Sequence, residues 1–199
     1  NRGIDVAGST KRSTGIAGLD LALDGGFPAG ARIVISGSPL SGLELLARQF
    51  WQEGGGTGAY LMLDALPADG MVDARGMSLE EMVSAMTGER IIVDSLSTLI
   101  VTLGIEAATR FVVEDSSALI GDGSNIVYLL YANHHTAFEE ARVMRAADIF
   151  ITLRQEIHGN EVERTLAIEK FRDEDVPRRV IPYNIMAEGI EVSTTSRVF

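Results

Sequence analysis

Cysteine is absent from the 199 residues, so the sequence excludes a disulfide framework and any metal site built from thiolates. The absence also fits a reducing compartment, and we expect the protein to be cytoplasmic. Apolar runs are short, and none approaches the roughly 18 residues that a membrane-spanning helix needs. We therefore expect no membrane-spanning segment.

Positive charge is also scarce. Lysine occurs only at Lys11 and Lys170, and the formal net charge is −11. A protein that binds nucleic acid needs clustered lysine and arginine to neutralise phosphates. The composition therefore argues against a nucleic-acid partner, and a recombination-type DNA-binding protein is disfavoured.

The order of predicted elements indicates the fold class. Apolar residues make up 46% of the chain, enough for one domain with a sizeable core. Hydrophobic periodicity predicts helices at 43–53, 79–87, 106–120 and 136–146, and strands at 31–37, 59–63, 71–74, 91–93, 126–131 and 148–153. Strands at 163–171, 180–185 and 189–193 follow without helices between them. The sequence thus predicts an α/β fold whose mainly parallel sheet is covered by helices on both faces and extended by antiparallel strands.

We predict a single domain with three parts. They are an opening segment at 1–30, an α/β core at 31–154 and a C-terminal β extension at 155–199. Within the core, Ser78 and Glu81 have the spacing of a capping box before the helix at 79–87.

The loop between the first core strand and its helix has the spacing of a phosphate-binding loop. The pattern G-x-x-x-x-G-K-[ST] uses the lysine for the β- and γ-phosphates and the hydroxyl for Mg²⁺. Residues 37–42 read Gly-Ser-Pro-Leu-Ser-Gly, but Leu43 and Glu44 follow in place of the lysine and the hydroxyl residue. We interpret this segment as a degenerate phosphate loop, whose candidate cofactor-binding residues are Gly37, Ser38, Ser41, Gly42, Leu43 and Glu44.

These two substitutions predict weak binding of a triphosphate. Two unit charges about 4 Å apart interact by roughly 4 kcal/mol at an effective dielectric near 20. Losing the lysine and adding the carboxylate of Glu44 therefore costs several kcal/mol of affinity. Two alternatives stay open for Glu44: it satisfies the helix dipole in the first turn, or it ligates Mg²⁺ itself. The loop as a whole has the alternative of a purely structural strand-to-helix turn.

Six segments, in order, resemble the KaiC-like branch of the RecA superfamily of P-loop ATPases. They are the loop itself and residues 13–20 (STGIAGLD), 25–30 (GGFPAG), 90–96 (RIIVDSL), 147–153 (ADIFITL) and 164–172 (RTLAIEKFR). The likeness covers nearly the whole chain and implies a RecA-like P-loop fold, with ATP and Mg²⁺ as cofactors. The stretch 65–90 is shorter than the helix-plus-strand insert that the family normally carries.

The resemblance also implies roles for four residues outside the loop. Asp94 stands where the family has the acid that holds Mg²⁺, and Asp64 where it has the glutamate that activates water. Asp64 is one methylene shorter than glutamate, and Ala65 replaces a polar residue, which puts a working base in doubt. Lys170 and Arg172 match a pair that reaches a neighbouring subunit's γ-phosphate in the family; a solvated strand face is the alternative.

The sequence therefore predicts a KaiC/RecA-like paralogue that does not hydrolyse ATP efficiently and acts as a regulatory or scaffolding protein. We expect it to assemble with itself or with an active relative, and any enzymatic activity to be that of an ATPase. The alternative is an atypical ATP-binding protein or weak ATPase completed by a neighbour's sensor residues. His134 and His135 lack the spacing of a zinc site, and Ser95 and Ser97 have no base beside them in the sequence.

Overall fold

A computed structural model describes residues 10–55, 57–172 and 180–194. Its strands in chain order are β1 (Lys11–Arg12), β2 (Phe27–Pro28), β3 (Arg32–Gly37), β4 (Gly58–Met62), β5 (Val72–Asp73), β6 (Arg90–Asp94), β7 (Asn125–Tyr131), β8 (Ile149–His158), β9 (Glu161–Phe171), β10 (Val180–Met186) and β11 (Gly189–Val192). The α-helices are α1 (Ala17–Ala22), α2 (Leu43–Glu53), α3 (Leu79–Ala85), α4 (Leu96–Leu103), α5 (Ile105–Arg110), α6 (Ser117–Gly121) and α7 (Ala137–Ala146).

Nine of these strands form one sheet in the order β11-β10-β9-β8-β3-β7-β6-β4-β5. The strands from β8 to β5 in that order are parallel to their neighbours. The pairs β8–β9, β9–β10 and β10–β11 are antiparallel. The mainly parallel sheet with an antiparallel C-terminal extension is confirmed as the fold class.

Helices cover both faces of the sheet because side chains of the central strand alternate between two buried clusters. Ile33 and Ile35 of β3 pack with α1 and α2, whereas Val34 packs with the helices on the opposite face. All three side chains are completely buried. Strands that bury both faces are the reason why the sequence shows continuous apolar runs there.

Two helices, α1 and α4, are missing from the sequence-based prediction. Residues 96–103 (LSTLIVTL) form α4, although their β-branched residues have low helix propensity. The helix forms because Ser95 caps it, accepting a bond from the Thr98 N–H at 3.2 Å, and because Leu96, Leu99 and Ile100 are buried. The helix predicted at 106–120 is instead interrupted by a π-helical turn at Phe111–Asp115.

Helix capping follows the sequence signals. The capping box of Ser78 and Glu81 is confirmed at the start of α3. A second box, between Thr136 and Glu139, begins α7. No helix among the described residues combines the length and the apolar character needed to cross a membrane.

Gly18 allows α1 to contact the edge strand β11, and its replacement tests this packing. A Cβ at Gly18 would lie 2.1 Å from the carbonyl oxygen of Val192. We expect Gly18→Ala to lower the free energy of unfolding by about 1–3 kcal/mol, since backbone must shift. Gly121, in α6, has open space around its Cβ position. Gly121→Ala is therefore the matched control, expected to be neutral or stabilising by up to about 1 kcal/mol. Urea unfolding of both variants measures the difference; equal stabilities would contradict the packing.

Candidate functional site

The loop between β3 and α2 is a tight turn fixed from two sides. Gly42 has φ +88°, a left-handed conformation that favours glycine. The Ser41 N–H and hydroxyl both donate to the carbonyl of Ser38, at 3.0 and 2.6 Å. Tyr183 of β10 donates its hydroxyl to the carbonyl of Ser41 at 2.6 Å. The C-terminal strands therefore hold the loop in place.

Leu43, the first residue of α2, points into the core. Its side chain is 0% exposed and belongs to the buried cluster beneath α2. The preceding Gly42 approaches that cluster closely, since a Cβ there would lie 3.0 Å from Cδ1 of Ile190. Glu44 is exposed in the first turn of α2, whose N-cap residue, Gly42, has no side chain with which to cap the helix. Of the two residues that follow the loop, one is apolar and buried, and the other is an exposed acid.

Asp94 ends β6 and is almost fully buried, at 1% exposure. Its Oδ2 accepts a hydrogen bond of 2.6 Å from the hydroxyl of Tyr60, while its buried Oδ1 has no hydrogen-bond partner among the described residues. The pKa of Asp94 is raised from 3.8 to about 6, mainly by burial and in smaller part by the charges of Asp64 and Glu44. The carboxyl group is therefore partly protonated near neutral pH.

Asp64 follows β4, whose neighbour in the sheet is β6, and it is held by two hydroxyl groups. Ser95 donates to its Oδ2 at 2.7 Å, and Thr98 makes a short hydrogen bond to its Oδ1. These bonds fix the carboxylate to the first turn of α4. The structure thus brings Asp64 and Asp94 to the carboxyl ends of the parallel strands, where the loop also lies. We call this end of the sheet the loop edge.

Negative charge dominates this edge. Burial, followed by the charges of Asp94, Asp64 and Glu44, raises the pKa of Tyr131 at the end of β7. The same effect of burial and of Asp94 raises the pKa of Tyr60. The carboxylates of Glu44, Asp64 and Asp94 therefore lie close enough to one another to raise the pKa values of neighbouring acidic groups.

Arg48 is a cation of this region that sequence reasoning missed. It lies on α2, one helical turn after Glu44, and its charge lowers the pKa of Asp94. Its Nε is buried and has no hydrogen-bond partner among the described residues. The i, i+4 spacing from Glu44 was a signal in the sequence that could have placed it at the site. Nothing in the sequence placed the Tyr60 hydroxyl on Asp94, because that contact depends on the register in which β4 pairs with β6.

A serine and a histidine meet beside this site, although the sequence separates them widely. Nε2 of His135 lies 2.7 Å from Oγ of Ser97, and the N–H of Tyr131 donates to the same oxygen at 2.8 Å. Burial lowers the pKa of His135. Ser97 is buried, so these bonds join the end of β7 to α4 and do not present a nucleophile. His134 bonds separately to the carbonyl of Ala132 at 2.8 Å.

Lys170 and Arg172 lie at the other end of the sheet, opposite the loop edge and near the start of β8. Lys170 donates to the carbonyls of Met144 and Arg145 at 2.9 and 3.2 Å, where α7 ends. Arg172 donates to Asp148 at 2.8 Å, and its side chain is 65% exposed. Neither residue can therefore reach the loop of its own chain.

A cavity of about 470 Å³ opens beside the loop, at the carboxyl ends of β3, β7 and β8. Its walls include Ser36, Ser38, Asn133, Arg154 and Glu156. Crevices at the carboxyl ends of parallel strands are where ligands bind in open α/β sheets.

Comparison with known proteins identifies the fold and the family. The family described as "ATPase: KaiC" matches residues 68–197, a range that leaves out the loop at 37–44. A KaiC-like protein from the hyperthermophilic archaeon Pyrococcus horikoshii OT3 has a similar structure, with a TM-score of 0.77 and 18% sequence identity. The superposition covers 94% of this chain and 100% of that protein. Among curated proteins, none matches the chain.

The raised pKa of Asp94 predicts a pH-dependent penalty on stability. The folded state keeps a proton that the unfolded chain releases, so stability falls as the pH rises from about 4 to about 6. Asp94→Asn removes this penalty, because the amide stays neutral and still accepts from Tyr60. We expect the variant to gain up to about 3 kcal/mol over the wild type between pH 4 and pH 7, at about 1.4 kcal/mol per pKa unit.

Urea unfolding at several pH values measures this difference. The exposed Asp69 supplies the control, and Asp69→Asn should track the wild type at each pH. An Asp94→Asn curve parallel to the wild-type curve across this window would contradict the raised pKa.

Proposed function

Because this chain belongs to the KaiC ATPase family, we propose that it is a paralogue without efficient ATP hydrolysis and that it acts as a regulatory or scaffolding protein. The observation that carries this proposal is the complete burial of Leu43. In the G-x-x-x-x-G-K-[ST] pattern this position holds a lysine that binds phosphate. In this chain it holds Leu43, whose side chain packs in the core. A degenerate Walker A motif is therefore part of the proposal.

The electrostatics of the loop edge support the same conclusion. Glu44, Asp64 and Asp94 bring three carboxylates to the edge at which a triphosphate would bind, against the charge of Arg48. Bound anions are favoured at a helix N-terminus by the dipole and the free N–H groups. Here the exposed carboxylate of Glu44 occupies the first turn and opposes a second anion. The residues present therefore do not fit MgATP well.

The proposed role is assembly, with other copies of the chain or with an active relative, in the cytoplasm. The segments that resemble the family are ordered in this structure. In the opening segment, for example, Asp20 accepts hydrogen bonds from the Ser13 hydroxyl at 2.5 Å and from the Thr14 N–H at 2.7 Å. A chain that keeps this scaffold while lacking the charged groups suits a binding role better than a catalytic one.

Calorimetric titration with MgATP and a phosphate-release assay at millimolar ATP test the proposal. We expect weak binding by the wild type and no turnover near 1 s⁻¹, the slow end of ordinary enzymes. Glu44→Ser should raise the affinity for MgATP about tenfold, since removing the carboxylate is worth between about 1 and 4 kcal/mol at 4 Å. Glu53→Gln, at the far end of α2, is the charge-matched control and should bind like the wild type. Ordinary turnover by the wild type would overturn the proposal.

The second candidate is an atypical ATP-binding protein or weak ATPase whose missing cations come from a neighbouring copy. The position of Arg172 favours it, because this residue is 65% exposed at the edge of the sheet opposite the loop. A residue at that edge can reach the loop of another copy but not its own.

Sedimentation velocity with and without MgATP decides between the two candidates. The second candidate predicts larger assemblies in MgATP, and their loss in Arg172→Ala, because the neighbour's charge would be missing. Arg110→Ala supplies the matched control, as this arginine at the end of α5 is also exposed but lies outside the Lys170 and Arg172 pair. A wild-type sedimentation profile that ignores MgATP would contradict the second candidate.

A further inference from the structure

The β8–β9 hairpin gathers acidic and imidazole groups on one face. Its strands pair Glu156 with Glu163 and His158 with Glu161. Alternate residues of a strand share a face, and directly paired residues lie side by side. These four side chains therefore project from the same side of the hairpin, near the turn at 159–160.

Three of them converge on a single point. Nε2 of His158 lies 3.2 Å from Oε2 of Glu156 and 3.2 Å from Oε2 of Glu163. The three ligand atoms all lie within 4.8 Å of one another. A zinc ion binds nitrogen and carboxylate oxygen at about 2.0–2.2 Å, so ligands at octahedral or tetrahedral angles are roughly 3.0–3.5 Å apart. The two imidazole–carboxylate separations match that spacing.

The charges around this point favour a cation. Glu156 lies directly opposite Glu163, and like charges in that position destabilise a strand pair. The arginine on the same face, Arg154, donates to Glu169 at 3.2 Å and is thereby engaged on the side away from the turn. A cation between the two carboxylates would remove the repulsion.

We propose that Glu156, His158 and Glu163 form a binding site for a divalent transition metal, with Zn²⁺ as the best-suited ion. Imidazole is a ligand for zinc and related ions, whereas Mg²⁺ prefers an all-oxygen octahedral shell. Three protein ligands leave one coordination position open for water or a partner's side chain. This site is independent of the proposed function, because none of its three ligands is a residue of the loop at 37–44, Asp64 or Asp94.

The site also adjoins the cavity beside the loop. Glu156 lines that cavity together with Ser36 and Ser38. An ion held at the hairpin would therefore fix the outer wall of this cavity and neutralise part of its negative charge.

Titration of the full chain with Zn²⁺ at pH 8 tests the site, followed by calorimetry and by the visible absorption of Co²⁺ as a substitute. We expect one Zn²⁺ per chain, and His158→Ala and Glu163→Gln should each weaken binding at least about tenfold, as loss of one of three ligands requires. His134→Ala removes an exposed histidine outside the cluster and should bind like the wild type. Mg²⁺ at the same concentration should not compete.

The rival account is that His158, when protonated, only bridges the two carboxylates as an ion pair. That account predicts no saturable Zn²⁺ binding by the wild type, or binding that His158→Ala leaves unchanged, and either result overturns the proposal. All three side chains are exposed, so the variants should keep the wild-type circular dichroism spectrum and the wild-type urea midpoint.

Discussion

The burial of Leu43 constrains everything around the loop. A left-handed Gly42 turns the chain so that the first side chain of α2 enters the core, where Ile190 of the edge strand packs close by. Tyr183 fixes the same turn through the carbonyl of Ser41. Because β10 and β11 supply these contacts, the antiparallel extension and the loop stabilise each other. Replacing Leu43 by a charged residue would disturb the core as well as the loop.

The remaining chemistry of the site follows from its excess of carboxylates. Asp94 is buried without a full set of partners, and a rise of its pKa to about 6 is the response of an acid that water no longer solvates. Tyr60 donates a hydrogen bond to its carboxylate, and Arg48 supplies compensating positive charge. The region that would have to attract phosphates in an ATPase thus carries an excess of carboxylates, and its hydroxyl and guanidinium groups interact with those carboxylates.

Much of the fold was predictable, because hydrophobic periodicity and capping chemistry are local. The strands at β3, β4, β6 and β7 and the box at Ser78 follow from sequence alone. Helix α4 was not predictable, since its β-branched residues contradict local propensity and only burial explains it. In the site, the positions of Asp64 and Asp94 followed from strand ends, while Tyr60 on Asp94 and His135 on Ser97 required tertiary packing.

We propose that the loop does not hold a triphosphate, because Glu44 adds negative charge there and the side chain of Leu43, the first residue of α2, belongs to the core. A crystal structure grown in buffer containing MgATP tests this claim most directly. The account predicts Leu43 still buried and no triphosphate density against the backbone N–H groups of 37–44. Phosphates seated in that loop, with Mg²⁺ bound by Glu44 or Asp94, would contradict it.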